Sequence, residues 1–156
     1  MFIRAKKVKG RSYGYLVDNN WEGGKVRQKV KKYLGPIKEL FEPEDPDLYF
    51  DLDTSKSSRA CLRDCISMEF LSRGFVREKN KLKKDGITID LVSARIRQGN
   101  RGVVLFLNGR YLHDVVLRHL LSFNDPEPDE KTPGKKLAQA FSDAGIRIDR
   151  TVFVHL

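Results

Sequence analysis

Polar residues with metal-binding and acid–base chemistry follow two apolar runs of this chain. Asp90 ends the run 87–90, and Asn108 and His113 come after the run 103–107. A carboxylate held at the edge of a rigid strand, beside other oxygen ligands, can bind a divalent cation that polarises a phosphate and activates water. These residue types therefore fit metal-assisted hydrolysis of a phosphodiester, with Asp90 as the candidate carboxylate.

Each of these residues also has a purely structural explanation. Asp90 would serve as a cap at a strand end, or as an ion-pair partner of Arg95 or Lys83. His113 lies at the start of an apolar pattern typical of a short helix, where a histidine is often an ordinary surface residue. Both alternatives stay open at the level of the sequence.

Helix and strand patterns surround these positions in residues 54–156. Apolar residues at helical spacing precede Gly74 and predict a first helix in "SKSSRACLRDCISMEFLSRG". Strands are predicted in "FVREKNKL", in "ITIDLVSARI" after the turn signal Asp85–Gly86, and in "RGVVLFLNG". Two more helices, "LHDVVLRHLLSF" and "KKLAQAFSDAGI", and a last strand, "RTVFVHL", complete the order. This order predicts an α/β (α+β) fold with a mixed sheet flanked by helices.

The positive charge of the chain is concentrated at its N-terminus. The formal net charge is +9, and residues 1–38 alone carry +9 because they hold eleven Lys and Arg against two acidic residues. A concentrated basic patch is typical of proteins that bind the phosphate backbone, since neutralising phosphates releases counterions. A solvated basic face without a partner is the alternative. The candidate nucleic-acid-binding residues are Arg4, Lys6, Lys7, Lys9, Arg11, Lys25, Arg27, Lys29, Lys31 and Lys32.

Alternation in this basic segment predicts a small three-stranded antiparallel β-module. Its strands are "FIRAKKVK", "YGYLVDN" and "KVRQKVKKYL", with turns at Gly10 and at "WEGG". Val26 and Val30 fall on one face of the third strand and three basic residues fall on the other, so we expect an apolar and a basic face. Three aromatic residues would either stack on bases or pack within the sheet: Tyr13, Tyr15 and Trp21.

These patterns divide the chain into three parts. Residues 1–38 form the basic β-module, residues 39–53 an acidic connector, and residues 54–156 the α/β domain. The connector holds seven acidic residues, no basic residue and two prolines, which favours an extended linker. No apolar run approaches the roughly 18 residues of a membrane span and no leader pattern is present, so we expect a cytoplasmic protein with no membrane partner. Cys61 and Cys65 are expected to be small core residues.

The basic segment resembles the N-terminal β-module of certain insertion-sequence transposases. The resemblance lies in "SYGYLVDNNWEGGKVRQKVKKYLG", where a strand, an E-G-G-K turn, V-R-Q and a terminal Y-L-G recur. That module lies outside the catalytic core of those enzymes. The resemblance therefore implies an association with nucleic acid and carries over no catalytic residue.

Residues 54–156 resemble very-short-patch-repair endonucleases, which belong to the restriction-endonuclease-like PD-(D/E)xK superfamily. The matching stretches are "GFVREKNKLKKDGITIDLV" and "LFLNGRYLHD", and the tail "KKLAQAFSDAGIRIDRTVFVHL" resembles the terminal helix and strand of that group. The resemblance implies a restriction-endonuclease-like mixed sheet and a nucleic-acid partner, with DNA favoured over RNA. It also implies that a homodimer can form.

The same resemblance implies roles for individual residues. Asp90 takes the position of the metal-binding aspartate, and Leu107 the position whose backbone carbonyl helps to hold Mg²⁺ or Mn²⁺. Asn108 falls on the first of two histidine positions, and His113 on the second, which places both among the catalytic residues. The helix acid that completes the catalytic set has two candidates, Asp64 and Glu69.

The chain departs from this family at three points. The E-x-K motif is absent, Asn108 replaces a histidine with an amide that cannot usefully donate a proton, and Leu112 replaces a tryptophan. One expected function is therefore a nucleic-acid-binding, metal-dependent endonuclease or a weakened descendant of one. The alternative is a non-catalytic nucleic-acid-binding module with a degenerate nuclease fold. A third hypothesis is a subunit whose acidic segments bind a basic protein partner.

Overall fold

The computed structural model describes residues 1–43, 57–123 and 133–148. Within these residues the chain forms ten strands, arranged as two five-stranded sheets, and three helices. The predicted mixed α/β class is therefore confirmed. The predicted last strand at 150–156 and most of the acidic connector lie outside the described residues.

Three antiparallel strands form the N-terminal region, as the alternation predicts. They are β1 (Phe2–Val8), β2 (Arg11–Glu22) and β3 (Lys25–Glu39). The turn between β2 and β3 places Gly23 and Gly24 at φ +60° and +76°. Positive φ at both central residues is typical of the type I′ turn, which suits the right-handed twist of a two-residue hairpin. β1 to β3 therefore form by local pairing along the chain.

These three strands are not a separate unit, in contrast to the prediction. β3 continues to Glu39, and its last residues pair in parallel with β9 (Val104–Leu107), with Ile37 opposite Val104. β9 in turn pairs with β10 (Arg110–Leu112), so the first sheet has the order β1-β2-β3-β9-β10. The parallel pairing satisfies the backbone groups at the end of β3 and joins the basic strands to the rest of the fold.

The second sheet is an antiparallel meander of five short strands. It contains β4 (Val76–Glu78), β5 (Lys81–Lys84), β6 (Ile87–Asp90), β7 (Arg95–Gln98) and β8 (Arg101–Gly102). Two predicted strands are each divided by a turn, because Lys79 and Ala94 adopt left-handed backbone conformations with φ +55° and +51°. The hairpin predicted at Asp85–Gly86 is confirmed, with both residues at positive φ.

Three helices pack against the two sheets. They are α1 (Ser58–Leu71), α2 (Asp114–Leu121) and α3 (Pro133–Ala144), and α2 packs against α3 and β7. Apolar side chains from both sheets and all three helices build one core. Its largest fully buried members are Ile66, Phe70, Leu82, Ile89, Ile96, Leu105, Leu107, Leu112, Leu117, Leu120 and Phe141. Cys61 and Cys65 are both buried, as predicted.

The outer half of the N-terminal sheet lies outside this core. All nine residues from Lys25 to Tyr33 of β3 are exposed. Val26 and Val30, on the apolar side of this strand in the predicted alternation, are 49% and 59% exposed. None of the described elements covers this apolar side.

Candidate nucleic-acid interface

An open cleft lies where the two sheets approach each other. Its volume is about 1000 Å³, and its walls come from β2 and β3 on one side and from β7, β8 and the start of α2 on the other. The approach depends on Gly35, which has φ +122° and whose Cβ, if it had one, would lie 2.1 Å from the carbonyl oxygen of Gly102. A residue without a side chain is therefore required where β3 passes β8.

The cleft is lined by cationic side chains from both walls. Arg11, Lys32 and Lys38 come from the N-terminal strands, and Arg97 and Arg101 come from β7 and β8. Among the ion pairs between described residues, Arg97 joins one, and the other four cations join none. Clustered cations in a concave site raise the local concentration of anions, so the cleft is suited to an anionic ligand.

Arg97 is held in place by the first residue of α2. Asp114 accepts a hydrogen bond from Arg97 Nη1 at 2.8 Å through one carboxylate oxygen, and from the backbone N–H of Ile96 at 2.7 Å through the other. Because both bonds tie α2 to β7, the guanidinium has a defined position at the cleft wall. The hydrogen bonds of Arg97 to described residues use Nη1, which leaves Nη2 and Nε as donors toward a ligand.

His113 lies beside Arg97, immediately before α2. Its side chain is 4% exposed, and its Nδ1 has no hydrogen-bond partner among the described residues. His113 Nε2 and Arg97 Nη1 lie 3.9 and 3.5 Å from the position that a Cβ at Gly102 would occupy. Both nitrogens therefore lie close to Gly102 at the cleft wall, and the carbonyl oxygen of Leu34, at 3.1 Å, is nearer to the same position than either of them.

The imidazole of His113 is held in its neutral form. Burial lowers the pKa of His113; the neighbouring carboxylate of Asp114 opposes this effect, and the cations Arg97, Lys32 and Arg118 add to it. A bound phosphate would reverse the balance by favouring the imidazolium. His113 is therefore a neutral hydrogen-bonding group in the ligand-free cleft and becomes a more favourable cation when an anion is present.

Tyr13 and Tyr33 line the cleft, and Tyr15 lies next to Tyr33. Tyr15 is opposite Tyr33 in the β2–β3 register, and Tyr13 lies two residues before Tyr15, so all three side chains share a face of the sheet. The ring centroid of Tyr33 lies 5.4 Å from that of Tyr15 and 6.2 Å from that of Tyr13. Burial and these two neighbours raise the pKa of Tyr33, with Arg101 opposing them, so the phenol stays protonated at neutral pH.

The predicted basic residues divide into two groups. Arg11 and Lys32 line the cleft. The others lie on exposed strands or turns of the N-terminal sheet, where Arg4 bonds to Gln28 and two residues join exposed ion pairs. This second group is Arg4, Lys6, Lys7, Lys9, Lys25, Arg27, Lys29 and Lys31. The basic face thus extends outward from the cleft along the exposed ribbon β1–β3.

The carboxylate of Asp90 is engaged with its own turn. Its Oδ1 accepts hydrogen bonds from the backbone N–H groups of Val92 and Ser93 at 2.9 and 3.0 Å, and Lys81 lies 4.0 Å from Oδ2. Partial burial acts to raise the pKa of Asp90, but the bonds from Ser93 and Val92 and the charge of Lys81 hold it below its usual range. Asp90 therefore has the structural role of a strand-end cap between β6 and β7, which the sequence left open as an alternative.

Leu107 and Asn108 lie at the opposite end of a hairpin from His113. Asn108 and Gly109 form the turn with φ +48° and +76°, and Leu112 pairs with Leu105, so His113 returns to the start of β9. The Leu107 carbonyl oxygen would lie 2.5 Å from a Cβ at Gly145, so it faces the end of α3. The expectation that this strand end brings Leu107, Asn108 and His113 together is therefore wrong. The Asn-Gly dipeptide, a strong hairpin signal, indicates the turn.

Asn108 and Glu69 belong instead to a polar network in the protein interior. Glu69 is 0% exposed, and its Oε1 accepts hydrogen bonds from Arg73 Nε, Arg73 Nη2 and Asn108 Nδ2 at 2.9, 2.7 and 3.0 Å. Its Oε2 accepts one from the backbone N–H of Arg147 at 3.0 Å. Asn108 also accepts from Arg73 and donates to the carbonyl of Gly145. This network joins α1, the β9–β10 turn and the segment after α3.

The other predicted helix acid, Asp64, forms an ion pair with Arg77 at 3.0 Å. The structure thus gives Asp64, Glu69 and Asp90 three separate sets of partners. Within residues 1–43, 57–123 and 133–148, no three His, Cys, Asp or Glu side chains are grouped so that they could hold a metal ion. The Mg²⁺ or Mn²⁺ site expected at Asp90 and the Leu107 carbonyl therefore stays a prediction.

Several residues of the site were not identified from the sequence. Arg97, Arg101 and Tyr33 belong to the cleft, and Arg73 belongs to the buried network. The signal for the first two is the run "RIRQGNR", in which three arginines and no acid surround a Gly-containing turn. Nothing in the sequence indicates that this turn faces β3.

No family model, curated protein or solved structure matches this chain. None of the helices in the described ranges is long and apolar enough to cross a membrane.

Proposed function

We propose that this protein binds nucleic acid, with the phosphate backbone entering the cleft and continuing along the basic ribbon β1–β3. The observation that carries the proposal is a cleft lined by five cationic side chains, with His113 in the same lining: Arg11, Lys32, Lys38, Arg97 and Arg101. A guanidinium fork and an imidazole are suited to phosphate oxygens. The exposed cations of the ribbon supply additional backbone contacts.

Binding without cleavage is the form of this function that the geometry supports best. Asp64 and Glu69 form ion pairs with arginines, and Asp90 caps its own turn. A phosphodiesterase of the metal-dependent class needs carboxylates that are available to the cation. The engagement of all three carboxylates favours a non-catalytic nucleic-acid-binding module.

A restriction-endonuclease-like nuclease, or a weakened descendant of one, is the second candidate. The buried His113 at the wall of the basic cleft favours it, because an imidazole beside a bound phosphate is a common acid–base group. Incubation of supercoiled plasmid, single-stranded DNA and RNA with Mg²⁺ or Mn²⁺, against EDTA and Asp90→Asn controls, distinguishes the candidates. Metal-dependent cleavage that Asp90→Asn abolishes would establish the nuclease, and intact substrates would support the binding module.

The binding proposal is tested by fluorescence anisotropy with labelled DNA and RNA oligonucleotides over a series of salt concentrations. Arg101→Glu reverses an exposed charge inside the cleft. Lys135→Glu makes the same change at an exposed position of α3, outside the cleft. We expect Arg101→Glu to weaken binding by about tenfold and to reduce the salt dependence by about one counterion, with little effect of Lys135→Glu. Equal effects of the two variants would show that overall charge, and not the cleft, determines binding.

A further inference from the structure

The three tyrosines beside the cleft are not required by a purely electrostatic binding site. Tyr33 is 52% exposed, and its ring lies near those of Tyr13 and Tyr15 on the neighbouring strand β2. Partly exposed aromatic rings beside backbone-binding cations are the combination that single-stranded nucleic-acid sites use, because every base has a face that can stack on a ring. Phosphate binding alone therefore does not account for the exposed ring of Tyr33.

The arrangement of the cluster favours stacking over packing. The rings of Tyr15 and Tyr13 are inclined to that of Tyr33 by 55° and 43°, so they contact it at an angle and do not cover it as a parallel stack would. Tyr33 also lies on the cleft lining itself, between Lys32 and Leu34. A ligand that binds the cations of the cleft consequently passes next to this ring.

The form of nucleic acid follows from what Tyr33 can reach. Bases within a duplex are already stacked on each other and present only their edges, whereas bases of a single strand can leave the stack and lie on an aromatic ring. Pockets for small molecules have volumes of about 300–1,000 Å³. The volume of this cleft, about 1000 Å³, lies at the upper end of that range. Both features fit one or two nucleotides of a single strand.

We propose that Tyr33 is a stacking platform for one base of a single-stranded nucleic acid whose adjacent phosphate binds the cations of the same cleft, among them Arg97 and Arg101. This inference rests on the proposed function and specifies its ligand as single-stranded DNA or RNA. In this inference, the ring of Tyr33 makes the protein prefer a single strand to a duplex. The cations of the cleft contribute the affinity that is common to both ligands.

The test compares four labelled ligands by fluorescence anisotropy: dT12, rU12, a 12-nucleotide strand with abasic sites in place of its bases, and a hairpin duplex. The wild-type protein should bind dT12 or rU12 at least fivefold more tightly than the abasic strand, although the two carry the same phosphates. The difference between dT12 and rU12 reports the combined effect of the sugar and of the 5-methyl group of thymine.

Variants of Tyr33 then identify the ring. Tyr33→Leu keeps an apolar side chain against Tyr13 and Tyr15 but has no aromatic face, and Tyr33→Phe keeps the face without the hydroxyl. Tyr33→Leu should weaken binding of dT12 or rU12 by roughly 5- to 100-fold, with Tyr33→Phe close to wild type. Neither variant should change binding of the abasic strand or the duplex more than twofold.

The outcomes separate this inference from the function on which it rests. If Tyr33→Leu leaves single-strand binding unchanged while Arg101→Glu weakens it, the cleft binds nucleic acid and the stacking inference is wrong. Equal losses on the single strand, the abasic strand and the duplex would assign Tyr33 a purely structural role and would also overturn the inference. Absence of binding to all four ligands would refute the proposed function itself.

Discussion

Replacing Glu69 with Ala should destabilise the protein far more than removal of any exposed carboxylate. Glu69 and Arg73 are 0% and 3% exposed, and Arg73 directs two hydrogen bonds at one Glu69 oxygen, at 2.7 and 2.9 Å. Removal of one partner leaves the other charge buried without compensation, which costs about 3–5 kcal/mol. The lost bonds from Asn108 and from the Arg147 amide add to this cost.

Urea unfolding followed by circular dichroism measures the free energy of unfolding of each variant. Glu78→Ala is the matched control, since Glu78 and its partner Lys83 are 57% and 45% exposed and such a pair contributes less than about 1 kcal/mol. The double variant Glu69→Met with Arg73→Met should be more stable than Glu69→Met alone, because it removes both buried charges together. A cost below about 1 kcal/mol for Glu69→Ala would refute the network. Stabilisation of the wild-type protein by Mg²⁺ or Mn²⁺ that Glu69→Ala abolishes would assign Glu69 to a metal site instead.

Three further predictions concern the cleft. Gly35→Ala combines a strained φ of +122° with a 2.1 Å contact, so it should lower the free energy of unfolding by about 2–5 kcal/mol. The control Gly24→Ala has φ +76° and nothing within 4 Å, so it should cost about 1–2 kcal/mol. Similar costs for the two variants in urea unfolding would show that β3 and β8 do not require glycine. The pKa of His113 lies below its ordinary value of 6.5 in the free protein, and a bound phosphate is expected to raise it. Oligonucleotide affinity should therefore increase several-fold from pH 7.5 to 5.5. A His113→Gln variant with the same pH profile would contradict this role of His113. The same depressed pKa makes the ligand-free protein less stable as the pH falls below about 6.5, because the unfolded chain then binds the proton more readily than the folded chain; His113→Gln should remove this part of the pH dependence of unfolding.

Local turn signals explain which elements the sequence predicts well. Positive φ occurs at Lys9, Asp85 and Asn108, each of which precedes a glycine, and such pairs mark tight hairpins. Lys79 and Ala94 adopt the same backbone conformation without a following glycine. The sequence patterns therefore predicted a single strand in place of β4 and β5, and another in place of β6 and β7. At Asn108 the signal was present, but the resemblance to a nuclease strand end gave these residues a different interpretation.

Pairings between distant parts of the chain are what sequence patterns could not supply. The parallel contact of β3 with β9 joins residues 37–39 to 104–106, and the Glu69 network joins residues that are far apart in sequence. Alternation places Val26 on a face, but burial depends on whether another layer covers that face. The separate β-module and the convergent carboxylates were both predictions about such distant relations, and the structure places the residues differently.

Charge totals hid one wall of the cleft. Residues 1–38 carry the whole net charge, so Arg11 and Lys32 were identified, whereas residues 39–156 sum to zero and their arginines drew no attention. Yet the seven residues 95–101 hold three arginines and no acid, and two of these arginines face the cleft. Electrostatic attraction acts over about 10 Å at ordinary ionic strength, which is roughly the span of one strand–turn–strand unit. Charge counted over such a unit therefore describes a binding surface better than charge counted over a domain, and it brings Arg97 and Arg101 into the same site as the N-terminal cations.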